Sequence, residues 1–327
     1  MSYLNSGLER KLAIHHNSLR MIPKFYLLVF ILFSTISSAQ NILPGVHRTP
    51  DARFENIDGY PWEPNYLYID GLRVHYLDEG SGSAGVMLLL HGEPSWSFLY
   101  RNMIPTFLEN GYRVIAPDMI GFGKSDKVID LEWYNVDNHV AVLQELITEL
   151  DLNDITVFVQ DWGGPNGLIT ATELPERFER LVVMNTWLHH DGYEYTNALR
   201  RWNVRSQQFD FTTRMPQSLS DSAYVAPFDS PQATAGAYRW PWMLPFAQPE
   251  EGAAQRQERA FKALANWNKP AHFFFGDQDQ IFTVDWGRKF SAHVPGSSFD
   301  VIEGAGHFVQ ETGEPLAKLI MQRIGEE

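Results

Sequence analysis

The amino-acid sequence predicts an α/β fold in which a mostly parallel central sheet is flanked by helices and interrupted by an inserted helical cap. Three observations carry that prediction. Short apolar runs recur at Val86–Leu90, Arg113–Ala116, Ile155–Val159 and Leu181–Met184, the pattern of parallel strands buried on both faces. Segments of helical periodicity separate them, such as Val140–Leu150 with apolar residues at 140, 143, 146, 147 and 150. The 327 residues, 44% hydrophobic and 13% aromatic, suffice for one large domain with an insertion. Strand, helix and strand at this spacing build a parallel sheet covered on both sides.

Residues 1–40 are expected to lie outside that fold. Phe25–Phe33 is a nine-residue apolar run preceded by Lys24 and followed by Ser37-Ser38-Ala39. A basic residue, a short apolar stretch and small residues read as a secretory signal peptide, here Met21–Ala39, cut after Ala39. The run falls well short of the ~20 residues that span a bilayer, which disfavours a retained anchor. Met21 would begin a complete signal by itself, leaving Met1–Arg20 upstream of the true start. Export would place the mature protein in a periplasm or outside the cell, without a membrane attachment. An unused leader would leave it cytoplasmic.

The core is expected in two parts, 41–186 and 262–327, with the cap at 187–261. Leu72–Leu77 alternates apolar and polar residues like a half-buried strand. After Met184 the rhythm breaks into a stretch rich in Trp, Pro, Gln and Arg. It resumes with strands at His272–Phe275 and Phe299–Ile302 and a last helix at Pro315–Ile324.

Composition excludes several chemistries. There is no cysteine, hence no disulfide, thiolate metal site or cysteine nucleophile. The balance of 26 basic against 40 acidic residues, net −14, lacks the basic footprint of a nucleic-acid binder. Without the leader the balance is 22 against 39, or −17, better read as solubility than as steering of neutral substrates. The oligomeric state stays open.

Ligands of open parallel sheets bind beyond the carboxyl ends of strands, and three such ends carry reactive residues. The first is Val159-Gln160-Asp161-Trp162-Gly163-Gly164, a strand running through a tight turn into a helix, as in a nucleophile elbow. Serine usually stands at its centre; here it is Asp161. A serine needs a base before it attacks, whereas a carboxylate of ordinary pKa, about 3.9, is already an anion at neutral pH. It can displace a leaving group from carbon directly and leave an ester for water to cleave. The plainer reading, a helix N-cap, does not account for the strand-turn-helix setting. The second end, Glu303-Gly304-Ala305-Gly306-His307, puts a histidine after a strand near the C-terminus, the place of the base in α/β-hydrolases. The third, Gly276-Asp277-Gln278-Asp279, offers two acids that could fix the histidine tautomer; spacing leaves both Asp277 and Asp279 open. A fourth segment, His91-Gly92-Glu93-Pro94, follows Val86–Leu90 where one oxyanion-hole N–H is expected. The backbone N–H groups would be those of Glu93 and Trp162, with the His91 imidazole bracing the loop.

The segments HGEPSWSFLYR (91–101), APDMIGFGKSDK (116–127), VQDWGGPNGL (159–168) and GAGHFVQE (304–311) together resemble the haloalkane dehalogenases. The similarity starts near His47 and Arg48, runs to the last helix and is weakest in the insertion. HGEP, the Asp–Trp pair at the elbow and Asn185 resemble the first subfamily of that family, in an α/β-hydrolase fold. Other subfamilies carry a catalytic Glu where this chain has Asn185, so the resemblance selects Asp279 as the acid. It implies nucleophilic attack by Asp161 on a halogen-bearing carbon and water activation by His307. It further implies halide binding by two indole N–H groups, those of Trp162 and of a cap tryptophan. Trp187, Trp202, Trp240 and Trp242 are candidates, and Trp202 is favoured. Indole N–H groups donate without offering an acceptor, as a departing anion requires.

Substrates would be small halogenated alkanes and water, with no metal or organic cofactor; His189-His190-Asp191 reads as a solvated loop. The nearest alternative is an epoxide hydrolase, which needs cap tyrosines, here Tyr193, Tyr195, Tyr224 or Tyr238. Arg200, Arg201 and Arg205 would suit an enzyme binding a substrate carboxylate. A non-catalytic ligand receptor on the same fold is the third reading.

Overall fold

The strands, in chain order, are β1 (Val46–His47), β2 (Asn65–Ile69), β3 (Leu72–Glu79), β4 (Val86–Leu90), β5 (Arg113–Pro117), β6 (Lys127–Val128), β7 (Ile155–Asp161), β8 (Phe178–Thr186), β9 (Ala271–Gly276) and β10 (Ser298–Ile302). The helices are α1 (Ile104–Glu109), α2 (Val136–Glu149), α3 (Gly163–Glu173), α4 (Asn197–Arg205), α5 (Ala235–Trp242), α6 (Ala254–Leu264), α7 (Val284–His293) and α8 (Glu314–Gly325). This computed structural model describes residues 42–327, which form one compact unit. The leader expected at 1–40 lies outside the described residues.

Eight strands form one sheet in the order β2-β3-β5-β4-β7-β8-β9-β10. Only β3 runs against its neighbours; the pairs from β5 to β10 are parallel. Strands β4, β7 and β9 are buried at every residue, which is why they read as unbroken apolar runs. Their side chains alternate between two cores. Leu88, Leu90, Val157 and Val159 feed one face; Met87, Leu89 and Phe158 feed the other. This is the period-2 arrangement of a sheet covered on both sides.

Strand β3 departs from expectation. Its polar residues Arg73 and His75 are buried rather than solvated. The Arg73 guanidinium donates to the Lys124 carbonyl at 3.0 Å, and His75 Nδ1 lies 2.7 Å from Asp118 Oδ2. The loop that follows β5 covers this face and satisfies it, so alternation marked partners rather than water. Helix α2 begins at Val136, a turn before its apolar rhythm, because the Asn135 side chain caps it by accepting from Asn138 N at 2.8 Å.

The insertion between β8 and β9 holds α4, α5 and α6. The limit expected at residue 261 falls inside α6. Arg256 of that helix pairs with Glu173 at the end of α3 and with Asp137 of α2, so α6 lies with the core layer. The His189-His190-Asp191 segment is packed rather than solvated at its histidines. His189 Nδ1 lies 2.8 Å from the Tyr195 hydroxyl, and His190 stacks on Phe261 with centroids 4.0 Å apart. Among the described residues no helix is long and apolar enough to cross a membrane.

Candidate active site

Strand β7 ends on Asp161, whose φ of 48° is left-handed, and α3 starts two residues later at Gly163. A non-glycine residue held there is strained, a common feature of functional turns. The turn closes because its neighbours are small. A Cβ on Gly164 would overlap Thr186 Oγ1, and one on Gly92 would overlap the Asp161 side chain. Thr186 Oγ1 donates to the Asp161 carbonyl at 2.6 Å and ties the elbow to β8.

The carboxylate so presented is met from two sides. The Glu93 backbone N–H donates to Asp161 Oδ1 at 2.8 Å, and His307 Nε2 lies 3.5 Å from Oδ2. The other ring nitrogen, Nδ1, is 3.0 Å from Asp279 Oδ2. Asp279 is buried and held by Asn185 Nδ2 at 2.7 Å and by Ile281 N at 2.7 Å. Asp277 is exposed and accepts instead from Gly304 N at 2.8 Å. Asp161, His307 and Asp279 thus form a continuous line; Asp277 stands apart. Trp162 immediately precedes α3, where backbone N–H groups lack intrahelical acceptors. The His91 ring bridges its loop to the next, near Gly92 O at 3.0 Å and accepting from Met119 N at 3.0 Å.

Charge follows from this geometry. Burial pulls the His307 imidazole down. The charges of Asp279 and Asp161 and hydrogen bonds to both more than offset it, and its pKa is pushed up to about 10. Burial, and then the Asp161 charge, push the Glu93 carboxyl well above the usual carboxylate range. Glu93 Oε2 accepts from the Trp202 indole at 3.1 Å.

A cavity of about 420 Å³ opens over Asp161, within the size range of small-molecule sites. Trp162, Pro94, Leu199, Trp202, Leu244 and Phe308 contribute to its apolar wall. Of the four candidate cap tryptophans, Trp202 lines it. Trp187 is fully buried and stacks on Phe282 at 4.8 Å. Trp240 donates to His139 Nε2 at 2.8 Å, and Trp242 lies under the Arg239 guanidinium.

The tyrosines that an epoxide hydrolase would need do not line the cavity. Tyr193 packs edge-on to Trp286, Tyr195 reaches His189, Tyr224 reaches Glu311 and Tyr238 donates to Phe209 O at 2.7 Å. Sequence reasoning gave Gln160 and Thr186 no role. Gln160 Nε2 donates to His307 O at 3.1 Å, and its only sequence signal was its place beside Asp161.

Comparison with known proteins agrees with this geometry. The family model for the alpha/beta hydrolase fold matches residues 85–217. A haloalkane dehalogenase of Psychrobacter cryohalolentis is 40% identical over 297 residues, covering 85% of this chain and 97% of the relative. One from Mycolicibacterium paratuberculosis is 38% identical over 297 residues, with 84% and 97% covered. The tetrameric structure of a haloalkane dehalogenase from Paraglaciecola agarilytica NO2 superposes with a TM-score of 0.77 at 34% identity, covering 84% of this chain and 97% of that one. With its α/β-hydrolase sheet and with relatives matched along nearly their whole length, the chain belongs to the haloalkane dehalogenase family.

Proposed function

We propose that the protein hydrolyses small haloalkanes to an alcohol, a halide ion and a proton, with Asp161 as nucleophile, His307 as base and Asp279 as its supporting acid. The observation that carries this reading is the line from Asp161 through His307 to Asp279 at the floor of an apolar cavity. Asp161 attacks the halogen-bearing carbon; the carbon–halogen bond breaks and an alkyl ester remains. The Trp162 and Trp202 indoles serve the departing halide. Glu93, kept neutral by burial and by the Asp161 charge, adds no negative charge beside it; its Oε2 holds the Trp202 N–H at the cavity, and the departing halide takes that hydrogen in exchange.

Esterification removes the Asp161 charge that helps keep His307 protonated. The imidazole pKa then falls, His307 releases its proton to solvent, and the neutral ring takes a proton from water as the water attacks the ester carbonyl. The imidazolium so formed is stabilised by Asp279. The Glu93 and Trp162 backbone N–H groups serve the tetrahedral oxyanion, and its collapse releases the alcohol and restores Asp161. No step calls for a metal or an organic cofactor. The test is bromide release from 1-bromobutane. The wild type is expected to release it and Asp161→Asn to lose at least about 10⁴-fold in rate; a wild type that releases none contradicts the reading.

The helical segment from residue 187 to the start of α6 serves as the cap over the sheet in this reading. The leader composition supports export through Met21–Ala39, and N-terminal sequencing of the mature protein is expected to begin at Gln40. Retention of Met21 would instead support a cytoplasmic protein.

A further inference from the structure

Helix α4 turns one face to the cavity. Ala198, Arg201, Trp202 and Arg205 all line it, at the i, i+3 and i+4 spacings that share a helical face. Trp202 is partly buried, whereas Arg201 and Arg205 are exposed to solvent as well as lining the cavity. These two guanidiniums therefore stand at its mouth. The carboxylates of the lining are Glu93, Asp161 and Asp279, all of them buried. Apart from His307 beside Asp161, the remaining polar lining, Ser218, Gln278 and Gln280, is exposed and neutral.

Of the other arginines of the insertion, Arg259 on α6 has no ion pair among the described residues but does not line the cavity, and four have evident partners. Arg200 lies over Phe246 at 4.6 Å, Arg214 over Phe209 at 4.6 Å, Arg239 pairs with Glu132 and Arg256 with Glu173. Among the described residues, Arg201 and Arg205 take part in no ion pair. Like charges at i and i+4 weaken a helix slightly. The helix dipole favours Arg205 in the last turn but gives no such reason for Arg201. Two cations without a counter-ion, in a chain of net charge −14, thus stand at the outer end of a cavity whose carboxylates are buried at the other.

We infer that the cavity accepts haloalkanes with a carboxylate at the far end of the chain, the halogen-bearing carbon at Asp161 and the carboxylate between Arg201 and Arg205. This rests on the dehalogenase reading above and deepens it. The arginines lie at the mouth rather than beside Asp161, so the carboxylate recognised is remote from the halogen, not on the adjacent carbon. The chemistry is unchanged: the carbon–halogen bond breaks, an ester forms on Asp161, and water yields an ω-hydroxycarboxylate, a halide and a proton.

The test compares kcat/KM for 6-bromohexanoate and 1-bromohexane, which share a chain length and differ in the terminal charge. Arg201→Gln/Arg205→Gln is expected to lower the value for 6-bromohexanoate about tenfold relative to 1-bromohexane, mainly through KM, as loss of two exposed ion pairs predicts. Arg201→Lys/Arg205→Lys is expected to restore most of it. Raising the ionic strength from about 0.01 M to about 1 M shortens the screening length from about 30 Å to about 3 Å, and should weaken only the carboxylate substrate. Bromide from 1-bromohexane but none from 6-bromohexanoate overturns the inference and leaves the dehalogenase reading standing. Equal losses for both substrates in the Gln variant also overturn it. Bromide from neither substrate overturns the dehalogenase reading itself.

Discussion

Two Asp–His pairs of the described residues, one fully and one largely buried, behave in opposite ways. His75 and Asp118, 2.7 Å apart and both 0% exposed, lie under the loop that follows β5. His307 and Asp279, 3.0 Å apart, lie at the strand ends. Burial lowers the His75 pKa although Asp118 opposes it. His307 is largely buried too, yet the Asp279 charge, joined by a second carboxylate, Asp161, on its other nitrogen, pushes it up to about 10. Asp118 spends its oxygens on its own surroundings, accepting from Ser97 N at 2.8 Å and Lys124 N at 2.8 Å. A cavity of only about 20 Å³ borders this pair, lined by Asp118 and not by His75, and His75 Nε2 has no partner among the described residues. What sets the pair proposed for catalysis apart is therefore not an aspartate beside a histidine but a second group on the far nitrogen and room in front of it.

Exchanging the acids separates the two pairs most sharply. Asp279→Asn should slow hydrolysis of the ester by about 10³–10⁴-fold, because the imidazole loses its tautomer control and its counter-charge. Asp118→Asn should leave ester formation measurable while costing about 3–5 kcal/mol of stability in urea unfolding, since it breaks a buried charged network.

A smaller but cleaner contrast lies in proton affinity. In an NMR titration His307 is expected to stay protonated through neutral pH and His75 to be neutral there. The linkage signs differ accordingly. The raised His307 pKa contributes stability that is fully present below the unfolded value, about 6.5, and is lost as pH rises through about 10. The lowered His75 pKa costs stability as pH falls below about 6.5. Asp161→Asn should move the His307 titration downward and leave His75 in place; movement of both would erase the distinction.

The smallest effect concerns the cap. Trp202→Phe keeps the ring but removes the N–H, so bromide affinity should fall about fivefold, the worth of one hydrogen bond of about 1 kcal/mol. Fluorescence titration with bromide measures it. Unchanged affinity would move the second donor to another residue.

The ends of β7 and β10 were legible because glycines and apolar strands flank Asp161 and His307 within a few residues. Asp279 was half legible. Spacing left Asp277 equal to it, and what separates them is Asn185, 94 residues away in sequence. The buried polar face of β3 was not legible, because Arg73 and His75 find their partners on a loop about fifty residues on. The cap was least legible. Its short helices and 3-10 turns are set by packing rather than by rhythm. The Trp202–Glu93 bond spans 109 positions, and α6 reads as insertion because its sequence is charged, although its arginine docks on the core.

In the proposed mechanism Asp161 forms a covalent ester whose hydrolysis, and only its hydrolysis, needs His307. Intact mass spectrometry of His307→Ala incubated with 1-bromobutane tests it directly. One butyl group added to the chain, mapped by peptide sequencing to Asp161, and one equivalent of bromide released per chain are expected. An unmodified His307→Ala chain beside a wild type that releases no bromide would contradict it.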